Sequence, residues 1–131
     1  MKSRDKEILE HILMYCDQIH QAIELFGNAY KIFENNAVYR NACCMCILQI
    51  GEITNKLSKE IQDMRPEIPW RAIKDMRNIC AHSYGDIDIE TVWDTITNDI
   101  PAFRSECESL LMENLSLDNN TRQQFHCAPK S

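Results

Sequence analysis

Ile8, Ile12, Tyr15, Ile19, Ile23 and Phe26 recur at steps of three and four, while Lys6, Glu10, Asp17, Gln18 and Gln21 fall largely between them. This period predicts one amphipathic helix over residues 4–26, with Ser3 as its N-cap and Gly27 and Asn28 as its stop. Residues 29–34 predict a short helical piece that Asn35 and Asn36 end. From residue 38 to 60, Cys43, Cys46, Ile47, Ile50, Ile53, Thr54 and Leu57 cover one side of a second long helix, and Cys44, Met45 and Leu48 add apolar surface away from it. A helix apolar over most of its circumference needs burial over most of it. Either it runs through the middle of a bundle, or part of it faces a second copy of the chain.

Pro66 and Pro69 bracket a turn, after which residues 70–81 resume helical spacing with Ala72, Ile73, Met76, Ile79 and Cys80 on one face. At about 100° per residue, Arg71, Lys74, Asn78 and His82 fall within about 80° of one another on the opposite, polar stripe. Gly85 permits a turn, and Asp88 is placed to cap a fourth helix. The apolar stripe of that helix is Ile89, Val92, Trp93, Ile96, Ile100, Phe103, Cys107 and Leu110, and Pro101 predicts a kink in it. From Leu117 the chain is polar without a period. The pattern therefore predicts an all-α protein, an antiparallel helical bundle of four main helices plus a short helical segment. Residues 1–116 form the domain and residues 117–131 a flexible tail.

Composition narrows the class without changing this picture. With 131 residues, 44% of them hydrophobic, the chain is long enough for one core that needs neither disulfide nor metal. Three glycines and four prolines are too few for the many turns of a sandwich or barrel. The net charge of −6 argues against general counterion-release binding of nucleic acid, so any RNA contact must be local. No stretch has the roughly 18 apolar residues of a membrane span, and the charged first ten residues carry no signal segment, which together predict a cytoplasmic protein. Seven cysteines, three of them crowded at Cys43, Cys44 and Cys46, suit reduced core thiols better than a secreted disulfide framework.

The densest chemistry is Arg77-Asn78-Ile79-Cys80-Ala81-His82-Ser83-Tyr84-Gly85, at the end of the third helix. Arginine can hold a phosphate bidentately, and histidine exchanges protons near neutrality. Five residues on an ideal helix turn through about 140° net, so Arg77 and His82 diverge unless the helix ends between them. Two protomers facing each other across a twofold axis would bring Arg77 of one toward His82 of the other. Asn78, four residues before His82, is placed to orient its imidazole. Arg71, Lys74 and Lys56 either line an approach for phosphates or are solvated helix surface. Glu52, an isolated acid on an apolar helix, either pairs with a cation near the groove or is a plain surface acid.

The series Arg77-x-x-x-x-His82-x-Tyr84, preceded by Ile68-Pro69-Trp70 and Ile50-Gly51-Glu52 and followed by Trp93-Asp94, resembles the HepT-like toxins of the HEPN superfamily over residues 5–112. The resemblance implies a HEPN-like helical bundle that dimerises and acts as a metal-independent endoribonuclease toxin, without a cofactor. It implies catalytic roles for Arg77 and His82, and a small MntA-type nucleotidyltransferase antitoxin that silences the nuclease by placing AMP on Tyr84. Ser83 stands where many relatives have glycine. In the implied reaction His82 takes the proton of a ribose 2′-hydroxyl or protonates the leaving oxygen, and Arg77 stabilises the phosphorane-like transition state. An ordinary imidazole pKa then predicts maximal activity between about pH 6 and 8. A second reading keeps the same bundle as a binding module, docked to and modified by a nucleotidyltransferase but without useful nuclease activity.

Other signals are weaker. Cys43-x-x-Cys46 has metal or redox spacing but no second pair, and its apolar helical setting favours core packing. Asp17-x-x-His20 is half of a carboxylate-bundle metal motif without a matching Glu-x-x-His. There is no Gly-rich phosphate loop and no Gly-Ser with the paired carboxylates of a nucleotidyltransferase, so within the resemblance the chain receives AMP rather than transferring it.

Overall fold

The computed structural model describes the backbone of residues 1–80 and 88–127, and side chains as far as residue 114. Among the described residues every regular element is a helix, with no strand. Helix α1 spans Ser3–Phe26, α2 Tyr30–Glu34, α3 Ala37–Thr54 and α4 Lys59–Met64. Helices α5 (Trp70–Asp75) and α6 (Arg77–Cys80) follow almost end to end, and α7 (Ile89–Asp94) runs through a π-helical turn, Thr95–Asp99, into α8 (Ile100–Cys127). Four long helical paths result, with α2 and α4 as short additions.

Specific contacts set their directions. Asp5 meets Ser58, Gln18 meets Cys46, and Gly27 meets Tyr39, so α1 and α3 run antiparallel. Arg65 bonds to Ser109 and Glu113 while Trp70 packs on Phe103, so the α4–α5 stretch runs antiparallel to α8. Helix α3 lies between α1 on one side and α5–α6 on the other. Burial from both sides is why its apolar residues are not confined to one stripe: Cys43, Cys44, Cys46, Ile47 and Ile50 are all buried. Val38 and Met45 nevertheless remain exposed.

The end of α1 shows how local chemistry fixes the path. Gly27 adopts φ 122°, a conformation that side chains resist, and a Cβ there would meet Ile32 Cδ1 at 2.6 Å. Its carbonyl accepts from the Tyr39 hydroxyl at 3.2 Å. Tyr39 is fully buried, stacked on Phe26 and edge-on to Phe33, and burial pushes its phenol up to about 12. Asn35 closes α2, and the side chain of Asn36 accepts from Tyr39 N to cap α3.

Several expectations need correction. Ser3 is the first residue of α1, not its cap; Lys2 holds the cap position with no side-chain bond. The second long helix stops at Thr54 rather than continuing to residue 60. Ser58 N and Oγ both donate to the buried carboxylate of Asp5, at 3.0 and 2.7 Å, and Ser58 Oγ accepts from Ile61 N to start α4. The third helix is divided at Met76. Where Pro101 predicts a kink, a π turn precedes it. Proline lacks the N–H that an α-helix needs and crowds the carbonyl four residues back, and a widened turn relieves that clash. Thr95 and Thr97 hydroxyls donate to the Thr91 and Trp93 carbonyls, both at 2.8 Å, satisfying groups at the rim of the turn. Asp88 caps α7 as its position predicts, accepting from Thr91 N. The helical backbone of α8 continues to Cys127.

Candidate active site

Gly51 lies where α3 crosses the α5–α6 path. A Cβ at this position would stand 3.2 Å from the Lys74 carbonyl oxygen and 3.2 Å from Arg77 Cβ, so its absence lets the two backbones approach. The order Ile50-Gly51-Glu52 then has a physical meaning: a wholly buried core residue, the crossing point, and an exposed acid beside it. Arg77 opens α6 on the facing side, and its Nη1 donates to Glu52 Oε1 at 3.0 Å. The two side chains are 40% and 57% exposed, so the guanidinium is anchored at one corner and open to solvent. Of the two readings of Glu52, pairing with a cation is the one observed.

The predicted phosphate stripe divides. Arg71 and Asn78 are exposed, as is Lys56. Lys74 is partly buried, and its ammonium donates to Gln62 Oε1 at 2.9 Å while Gln62 Nε2 donates to the Leu57 carbonyl. It is thereby tied to α4. His82, Ser83, Tyr84 and Gly85 lie outside the described residues, as do the relations of Asn78 to His82 and of Tyr84 to Arg77.

The remaining reactive groups are occupied elsewhere. Cys43 and Cys46 are buried free thiols within the core. Asp17 pairs with Arg104 at 2.6 Å and His20 with Glu24 at 2.9 Å, so the two do not converge. Among the described residues no group of three or more His, Cys, Asp or Glu is placed to hold a metal ion. A cleft of about 370 Å³ between α1 and the start of α8 has the Asp17–Arg104 pair among its walls and a mainly apolar lining. It is separate from Arg77. Two relationships escape sequence reasoning altogether: the Lys74–Gln62 bond and a close approach of Cys44 to Cys80. Both join residues from different helices, and spacing along one helix does not register them.

The family model for ribonuclease HepT-like proteins matches residues 12–110. A protein of Methanocaldococcus jannaschii named as an RNase candidate is 34% identical over 123 residues, covering 92% of this chain and 99% of that one. A second from the same organism is 33% identical, covering 86% of this chain and 97% of its own length. A candidate ribonuclease HepT of Thermococcus cleftensis is 29% identical, covering 73% and 92%. No solved structure is a significant match. The chain belongs to the HepT-like ribonuclease family, and its all-α architecture is that of a HEPN-like bundle. Among the described residues no helix is long and apolar enough to cross a membrane.

Proposed function

We propose that this protein is the toxin of a toxin–antitoxin pair, a dimeric, metal-independent endoribonuclease with Arg77 and His82 as catalytic residues. The observation that carries the reading is Arg77 itself: within a ribonuclease family, an arginine held half-exposed at a glycine-made helix crossing is a fixed, accessible phosphate ligand. His82 takes the 2′-hydroxyl proton or protonates the departing 5′-oxygen, with Asn78 orienting the imidazole. Arg77 neutralises the charge that builds on the phosphorane, and the products are a cyclic phosphate and a free hydroxyl end. Arg71 and Lys74 guide the flanking phosphates. In a homodimer, two His82 side chains divide the base and acid roles; the exposed Val38 and Met45 of α3 are apolar surface available to such an interface.

Tyr84 is the proposed acceptor of AMP from an MntA-type nucleotidyltransferase. An adduct there brings bulk and negative charge into the sequence neighbourhood of Arg77 and His82, where it competes with RNA phosphate for the guanidinium. A binding module without nuclease activity is the second reading, favoured by the ion pair that already engages Arg77 and by the net charge of −6.

Cleavage of total cellular RNA by mass-verified, unmodified protein in excess EDTA tests the first reading, beside Arg77→Ala and His82→Ala variants shown to be folded. Cleavage by the parent alone is the expected result. Absence of cleavage by the unmodified parent would favour the binding module. A strictly monomeric solution mass would remove the shared groove.

A further inference from the structure

We propose that Cys44 and Cys80 are a redox pair that closes to a disulfide and so ties α6 to α3 beside Arg77. Their sulfur atoms lie 2.9 Å apart, with the Cys80 thiol donating to Cys44 Sγ, although the residues are 36 positions apart in sequence. An S–S bond is about 2.05 Å long, so closure requires a shift of roughly 1 Å. The pair lies in the same α3–α6 contact as the Gly51 crossing, with Arg77 one turn before Cys80 on α6.

Its environment separates it from the other thiols. Burial pushes Cys16 and Cys43 up to about 12 and raises Cys46 and Cys107 as well, which keeps them protonated and unreactive. Cys44 shifts the other way. The hydrogen bond from Cys80 and the charge of Arg40, one helical turn earlier, outweigh its burial and favour the thiolate. Cys80 keeps its proton and is only partly buried, which leaves a small oxidant a path to the pair.

Hydrogen peroxide is an oxidant of suitable size. The Cys44 thiolate attacks one peroxide oxygen, the O–O bond breaks, and hydroxide leaves and is protonated to water, giving a sulfenic acid. The Cys80 sulfur then attacks Cys44 Sγ, forming the S–S bond as its own proton departs with the hydroxyl as a second water. Two thiols and one peroxide become one disulfide and two waters, with two electrons passing from sulfur to oxygen. Thiols of low molecular weight reverse the step by exchange.

Arg77 and Cys80 are three residues apart on α6 and both reach toward α3, to Glu52 and Cys44. Closing the disulfide draws this face inward and favours the Arg77–Glu52 pair over RNA phosphate. That consequence for cleavage rests on the function proposed above; the disulfide itself does not.

The test uses the full chain with Cys127→Ser, which removes the seventh cysteine, reduced and then exposed to hydrogen peroxide. Peptide mapping without reductant is expected to find Cys44 linked to Cys80, two hydrogens lighter than the separate peptides and restored by dithiothreitol. The oxidised form should melt several degrees higher, because the bond closes a long loop in the unfolded chain. Cys44→Ser and Cys80→Ser, checked for helicity, should each lack both changes. RNA cleavage should fall several-fold on oxidation and return on reduction. The proposal is overturned if both thiols stay free under peroxide, if Cys44 proceeds to sulfinic acid unlinked, or if another cysteine takes its partner. A disulfide in a protein that cleaves no RNA in either state supports the redox pair and counts against the nuclease. A disulfide that leaves cleavage unchanged overturns its control of Arg77.

Discussion

Arg77 on α6 and Glu52 on α3 form an ion pair, Nη1 to Oε1 at 3.0 Å, beside a crossing where the glycine at position 51 leaves room for the two backbones to approach. The pair holds the guanidinium at a defined place on the surface, and it also sets a carboxylate against any phosphate that approaches.

Glu52→Gln separates those two effects. Both partners are substantially exposed, so losing the charge should change stability by no more than about 1 kcal/mol. RNA affinity should rise, because the phosphate no longer competes with a carboxylate for Arg77, whereas Arg77→Gln should lower it. Urea unfolding and fluorescence anisotropy with a labelled RNA read the two quantities. Weaker RNA binding by Glu52→Gln would show that Glu52 acts mainly to position the guanidinium.

Gly51→Ala tests the crossing. The added methyl would press on the Lys74 carbonyl and Arg77 Cβ, and overpacking of this kind costs about 1–3 kcal/mol. Alanine's better helix propensity offsets at most about 1 kcal/mol of that. A net loss should appear as a lower urea midpoint at unchanged slope, with RNA cleavage reduced under conditions where the variant is fully folded. A midpoint equal to or above the parent's would mean that the helices separate freely here and that Gly51 does not fix Arg77.

The outline of the bundle was legible because most boundaries are set by neighbours in sequence: Gly27, Asn35, Asn36 and Asp88 stop or start helices by their own backbone and side-chain chemistry. The break between α3 and α4 was not. Leu57 extends the apolar spacing and is itself buried, while the interruption depends on Asp5, at the far end of α1. The helical backbone of α8 beyond residue 117 is not legible for the opposite reason, since a polar segment without an apolar period carries no helix signal to read. At the candidate site, Arg77, Glu52 and Gly51 were visible as residue types in order, but their contact at a helix crossing is a tertiary fact. The approach of Cys44 to Cys80 carries no sequence signal for the same reason.

Asp5→Ala should expose the dependence of α4 on α1. Asp5 is only 3% exposed and accepts from both Ser58 N and Ser58 Oγ. Removing it leaves a half-buried N–H without its partner, a loss of about 1–3 kcal/mol. Ser58→Ala removes one of the same bonds and the cap on Ile61 N. The two losses should therefore be less than additive in a double-mutant cycle measured by urea unfolding. Strict additivity would show that the residues do not act together.

Asp88 provides a pH-dependent contribution whose sign follows from its bonds. The Thr91 hydroxyl, followed by Thr91 N–H, donates to its carboxylate and holds its pKa below the ordinary range. A carboxyl whose folded pKa lies below its unfolded value, about 3.9, stabilises the fold fully above that value. The contribution is lost as pH falls through the folded pKa. Asp88→Ala should therefore melt below the parent at neutral pH, and the gap should narrow as the solution is acidified to about pH 3 and beyond. Thermal melts of both proteins across that range, followed by circular dichroism, give the comparison. A gap that stays constant into acid would mean that the cap works through its neutral hydrogen-bonding shape, with no contribution from the carboxylate charge.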